Sequence, residues 1–203
     1  MKFEMDRERR GIEAGSHVAR IVGFVDIGSQ EKTWKGDRYF AHECVVVVEF
    51  PYETLQIDGK EVVRTLSKFY PASLRSNSKL LKDLVAIRGR PFEKSELEAF
   101  SFKKILNALV QASVIINENG KPKIDHLGPL PKAIKAIDVP ARSNELLYFD
   151  LDEFTEDSYS AVPEWLKGNI ERSPEFQEVR NPAKYVAEQP ATQTDEELGL
   201  LNF

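Results

Sequence analysis

Two dipeptides, Asp58-Gly59 and Asn119-Gly120, each sit between runs rich in β-branched residues and constrain the fold more than any other feature of the chain. Asp-Gly and Asn-Gly tolerate the positive φ values of a tight hairpin, so each marks the reversal of two antiparallel strands. Around the second turn, residues 110–118 lead in, residues 121–127 lead out, and Gly128-Pro129 with Pro131 close the pair. Ahead of the first turn, residues 38–50 read as a strand with an apolar run at 45–48, ended by Pro51. Residues 61–72 read as the returning strand. Farther upstream, Val18, Arg20, Val22 and Phe24 alternate along a first strand over 16–27, joined to the next by a polar loop over 28–37.

Between the third and fourth strands the pattern changes to helical spacing. Leu80, Leu81, Leu84 and Ile87 follow a cap at Ser76 or Asn77, and Gly89-Arg90-Pro91 stops the helix. Ser95 to Glu98 fits a capping box, and residues 102–106 fit another short turn of helix. The order strand, strand, strand, helix, strand, strand is that of the OB fold, a five-stranded partly open β-barrel. The expected class is therefore mainly β with short helices, although SH3-like barrels yield similar strings.

Charge divides the chain. Of 28 Lys+Arg and 33 Asp+Glu, residues 1–140 hold 23 and 19, a balance of +4, which leaves 5 and 14, or −9, for the rest. A basic body suits a polyanion, and an acidic extension suits recruitment of a partner or simple solubility. The expected organisation is an N-terminal arm over 1–14, an OB domain over 15–132, an extension over 133–180 and an acidic disordered tail over 181–203. Within the extension, residues 145–154 are acidic and aromatic, and residues 160–172 suggest a helix with Trp165, Leu166 and Ile170 on one face, docked on its own barrel or on another copy. A homodimer by exchange stays open. No run reaches the ~18 apolar residues of a membrane span. MKFEMDRERR lacks the apolar run of a secretory signal, and the single Cys44 permits no intrachain disulfide, which suits a reducing, cytoplasmic setting.

Catalytic constellations are not apparent. His17, His42 and His126 stand singly in strands, and no phosphate-loop, dinucleotide or nucleophile-elbow motif occurs. No cofactor or metal is expected. Asp150, Asp152 and Glu153 are the one set a divalent-ion nuclease could use, and a solvated acidic face explains them more simply.

Aromatic and basic residues interleave in the segments that would line an OB groove. Lys32, Trp34, Lys35, Arg38, Tyr39 and Phe40 fall in the first loop and the start of strand two; Arg64, Lys68, Phe69 and Tyr70 fall in strand three. Unpaired bases stack on aromatic rings while Lys and Arg follow the phosphates. The expected nucleic-acid contacts are Lys32, Trp34, Lys35, Arg38, Tyr39, Arg64, Lys68 and Tyr70, while Phe40, Phe50 and Phe69 could equally be core, a place that suits Phe50 best and Phe69 next. Lys79, Lys82, Arg88 and Arg90 could extend the basic track or face water. The ending TDEELGLLNF places Asp195, Glu196 and Glu197 before apolar residues and Phe203, a pattern suited to a partner with a basic rim and an apolar pocket.

The phrases GSHVARIVGFVDIGSQ, LSKFYPASLRSNSKLLKDLVAIRGRPF, LGPLPKAIKAI, YFDLDEF and VPEWLKGNIERSPEF resemble a family of tailed-phage single-stranded-DNA-binding replication and recombination proteins over most of residues 15–180. The resemblance implies DNA binding during phage genome replication in the host cytoplasm, and it supplies no catalytic residue. The ending is also similar to the tails of bacterial and phage single-strand binders, with a sparser acidic run. Two other functions remain open: an OB-type adaptor that binds protein, and a small metal-dependent nuclease.

Overall fold

The computed structural model describes residues 11–180, which form a mainly β, barrel-like sheet with short helices. Its strands are β1 (Gly15–Trp34), β2 (Asp37–Ile57), β3 (Lys60–Pro71), β4 (Leu109–Ile116), β5 (Pro122–Pro129) and the short β6 (Leu147–Phe149). The order is β3-β2-β1-β4-β5 with antiparallel neighbours, and β6 joins β1 in parallel. The sheet curls until its two outer strands approach one another: Lys68 Nζ on β3 donates to the backbone oxygen of Asp125 on β5 at 2.5 Å. The described residues also hold five α-helices, α1 (Lys79–Arg88), α2 (Lys94–Glu98), α3 (Glu156–Ser160), α4 (Glu164–Glu171) and α5 (Pro174–Arg180).

The strands outrun their sequence limits in two places. The expected loop over 28–37 is strand, and the connection shrinks to Lys35-Gly36 with φ of 51° and 95°. Two consecutive positive φ values match the right-handed twist of a hairpin, and Gly36 takes the larger one in open space. The polar composition of this stretch reflects a two-stranded ribbon with water on both faces. Pro51 likewise fails to end β2, because it lies in an irregularity between Phe50 and Thr54 where the β2–β3 register shifts. The Asn119-Gly120 turn forms as expected, with Gly120 N donating to the Asn117 oxygen at 2.9 Å.

Helix starts also shift. Ser78, rather than Ser76 or Asn77, caps α1 by accepting from Leu81 N at 3.1 Å. The capping box of α2 begins at Glu93 rather than Ser95, with Glu96 as its return residue.

Residues 45–48 are continuously apolar because both faces of β2 are covered. Cys44, Val46, Val48 and Phe50 enter an inner core with Ile21, Phe24, Val110, Ile124, Leu80 and Leu84. Val45 and Val47 face outward with Val25 and Ile27, and the extension covers that side with Phe149, Leu166, Ile170 and Phe176. The extension therefore docks on its own sheet. Burial also pushes the Cys44 thiol well above its ordinary pKa. Among the described residues no helix is long and apolar enough to cross a membrane.

Candidate nucleic-acid interface

The β1–β2 hairpin carries most of the expected contacts on the part of the ribbon nearest its turn. Cross-strand partners are Trp34 and Asp37, Thr33 and Arg38, Lys32 and Tyr39, and Glu31 and Phe40. Side chains alternate along a strand, so Lys32, Trp34 and Tyr39 share one face while Arg38 and Phe40 share the other. The aromatics are open to solvent: Trp34 is 68% exposed, Phe40 63% and Tyr39 49%. Cations accompany them. Lys35 Nζ lies 6.0 Å from the Trp34 ring centroid, Lys32 Nζ pairs with Glu43 at 2.8 Å, and Arg38 pairs with Glu31 at 3.1 Å. Arg38 and Glu31 are both well exposed, so that pair holds weakly and a phosphate can compete for the cation, whereas Glu43 is 14% exposed and holds Lys32 more firmly.

Strand β3 departs from expectation because its alternation turns Lys68 and Tyr70 to the inner side and Phe69, between them, to the outer. Tyr70 is 1% exposed and Lys68 8% exposed, so neither reaches a ligand on the surface. Both converge on Asp83 of α1: Lys68 Nζ and Tyr70 Oη each donate to Asp83 Oδ2 at 2.6 Å. Burial, followed by the Asp83 charge, pushes the Tyr70 hydroxyl up. These two residues tie α1 to the barrel. Between them, Phe69 points the other way and is 46% exposed rather than core, whereas Phe50 is fully buried. Arg64 spends its Nε on the Thr54 oxygen at 3.1 Å and braces the far end of β2–β3 instead of joining the hairpin group.

The other candidates take structural positions. Arg88 and Arg90 both grip Glu96 of α2, and the hydrogen bond from Arg88 holds that carboxyl well below the usual range. Asp150 accepts from the Tyr148 hydroxyl and from Asp152 N, and Glu153 pairs with Lys103. No group of three or more metal-capable side chains comes together among the described residues. Asp195, Glu196, Glu197 and Phe203 lie outside the described residues.

Two features escaped the sequence. His42, at the base of the hairpin, stands between two carboxylates: its Nε2 is 2.6 Å from Asp26 Oδ1 and its Nδ1 3.6 Å from Glu175 Oε1. The Asp26 hydrogen bond outweighs desolvation, and with the Asp26, Glu175 and Asp152 charges raises the His42 pKa. Glu175 is itself lowered, because bonds from Ser29 Oγ and Ser29 N, with the His42 charge, overcome its burial. The second feature is the contact of Trp165 with Phe69, ring centroids 6.3 Å apart: Trp165 does not share the docked face of Leu166 and Ile170 as expected and is 57% exposed. Helical spacing separates it from its neighbours: Leu166 and Ile170 are four apart and buried, while Trp165 is turned ~100° from Leu166.

No family model matches the chain, and no curated protein or solved structure matches it.

Proposed function

We propose that this chain is a non-catalytic, sequence-tolerant single-stranded-DNA-binding protein built on an OB-type barrel. The observation that carries the reading is one projecting hairpin that exposes Trp34 and Tyr39 on one face and Phe40 with Arg38 on the other, with Lys35 beside Trp34 at the turn. A soluble fold gains nothing by leaving three large rings in water, whereas single strands offer unpaired base faces to stack on them and phosphates for the cations. The strand order, with α1 between β3 and β4, and the approach of β3 to β5 support the OB assignment. In OB domains the connection between the first two strands borders the ligand groove, and here that connection is the aromatic hairpin.

Lys32, Trp34, Lys35, Arg38 and Tyr39 form the proposed contact group, to which Phe40 is added. Lys68 and Tyr70 leave it because they are buried. From the sequence resemblance alone we further propose a role in phage replication or recombination within the host cytoplasm, with residues 195–197 and Phe203 recruiting a partner protein.

The test is equilibrium titration of a fluorescent oligo-dT and a duplex of equal length at low and moderate salt. Tighter binding to oligo-dT that weakens with salt is expected, since each phosphate contact on a single strand contributes a slope of roughly 0.7 in log K against log salt. Absence of oligo-dT binding at low salt would remove the reading.

One observation favours the adaptor alternative. An apolar cleft of about 570 Å³ lies between α1, α2 and the segment after them, lined by Leu84, Ile87, Phe92, Phe100 and Ile105. A protein partner seated there would bind with little salt dependence.

A further inference from the structure

The extension covers the outward side of β1 and β2 yet leaves one strip open beside β3. Phe69 sits directly across from Val45, which the extension buries, and Phe69 itself remains exposed. Its neighbour in space is Trp165 on α4, also exposed, with ring centroids 6.3 Å apart and planes inclined by 60°. Two large rings that touch one another and still face water are available to a third planar group.

A groove of about 310 Å³, at the lower end of the roughly 300–1,000 Å³ typical of ligand clefts, opens on the Trp165 side of this pair, and Phe69 lies outside its wall. The sheet supplies Val47, Thr65 and Ser67 to its wall, and the extension supplies Asn144, Pro163 and Trp165. Apolar wall and hydrogen-bonding groups are therefore mixed. A base needs both kinds of contact: a ring against its face and hydroxyls or amides against its edge.

Strand alternation links this groove to the hairpin. Tyr39, Val45 and Val47 of β2 have the same parity and so lie on one side of the sheet, with Phe69 and Ser67 opposite Val45 and Val47. Tyr39 and Val45 are six residues apart along β2, about 20 Å at ~3.3 Å per residue. A strand of DNA held by the hairpin arrives at Phe69 and Trp165 by the strip left open beside β3, since the extension buries Val45.

We propose that the exposed Phe69–Trp165 pair is a second base-stacking site, in which a nucleobase of the bound single strand stacks on the pair and turns its edge toward the adjoining groove that Trp165 lines. The site rests on the single-strand reading above. It gives the extension a part in binding rather than in covering the sheet alone.

The chain contains two tryptophans, which makes the site directly observable. In a Trp34→Phe variant the remaining Trp165 reports on its own surroundings, while anisotropy of a labelled oligo-dT reports occupancy independently. Quenching of Trp165 emission in step with occupancy is expected, together with roughly 5-fold or greater weakening of oligo-dT binding in Trp165→Ala and recovery in Trp165→Phe. An oligo-dT that binds with no change in Trp165 emission, with Trp165→Ala at full affinity, overturns this site and leaves the hairpin reading intact. Failure of the unaltered protein to bind oligo-dT overturns both.

Discussion

Glu175 Oε1 stands 3.6 Å from His42 Nδ1, so the last described helix is tied to the base of the hairpin that carries Trp34 and Tyr39. Glu175 also accepts from Ser29 Oγ at 2.5 Å and from Ser29 N at 2.9 Å, and Asp26 holds the opposite nitrogen of the imidazole. One imidazole thus joins β1, β2 and α5.

This clasp gives a pH dependence with a definite sign. The folded pKa of His42 is raised above 6.5, so its contribution is fully present below 6.5 and is lost as pH rises through the folded value. Glu175 is lowered from 4.5, so its contribution is present above 4.5 and is lost as pH falls through its folded value. The clasp is therefore strongest between about 4.5 and 6.5. Amide exchange of α5 is expected to quicken as pH rises above that window, after correction for intrinsic rates, and His42→Gln is expected to abolish the pH-dependent part.

Gly28 carries a second prediction at the same junction. Its φ is +67°, and an added Cβ would lie 2.5 Å from the Cβ and Oγ of Ser173. Gly28→Ala therefore adds a left-handed penalty and displaces α5, with an expected loss of roughly 1–3 kcal/mol in urea denaturation. Gly36→Ala, where nothing lies within 4 Å, meets the backbone penalty alone and should lose less.

The Lys68–Asp83–Tyr70 cluster is expected to behave as a structural unit. Asp83→Asn leaves the Lys68 ammonium, 8% exposed, without its counter-charge. A loss of about 3–5 kcal/mol in chemical denaturation is expected, since breaking one partner of a buried pair strands the other. If the loss were below 1 kcal/mol, Lys68 would be more accessible than its packing indicates.

Leu166→Ala tests whether extension and sheet unfold together. Leu166 is fully buried against the outward side of β1 and β2, so truncation should cost about 2–5 kcal/mol. A single transition at a lower denaturant midpoint is expected. Two separated transitions would mean that the extension melts from the sheet on its own.

The sequence disclosed the strand order well, because hairpin dipeptides and β-branched runs are local signals. Asp58-Gly59 and Asn119-Gly120 form turns, and Leu80, Leu81 and Leu84 face the core. It disclosed the hairpin less well: the polar stretch from Gly28 to Asp37 resembles a loop in composition, and only the pairing of Lys32 with Tyr39 reveals a ribbon. The aromatic-basic interleaving of β3 misled for a different reason. Lys68, Phe69 and Tyr70 are consecutive, so a strand must send Phe69 to one side and its neighbours to the other, and Asp83 on a separate helix decides which side is buried. Nor can local pattern disclose that Trp165 meets Phe69 or that Glu175 meets His42, because those contacts depend on where the extension returns to the sheet.

The central claim is that exposed hairpin rings stack unpaired bases, and alanine replacement at Trp34 and Tyr39 tests it most directly. Both side chains are largely in water, so neither substitution should lower thermal stability appreciably. In fluorescent oligo-dT titrations each should weaken binding by roughly 5- to 150-fold, the equivalent of ~1–3 kcal/mol per stacked base, with little change in the salt slope. Wild-type affinity in a stably folded double variant would contradict the claim.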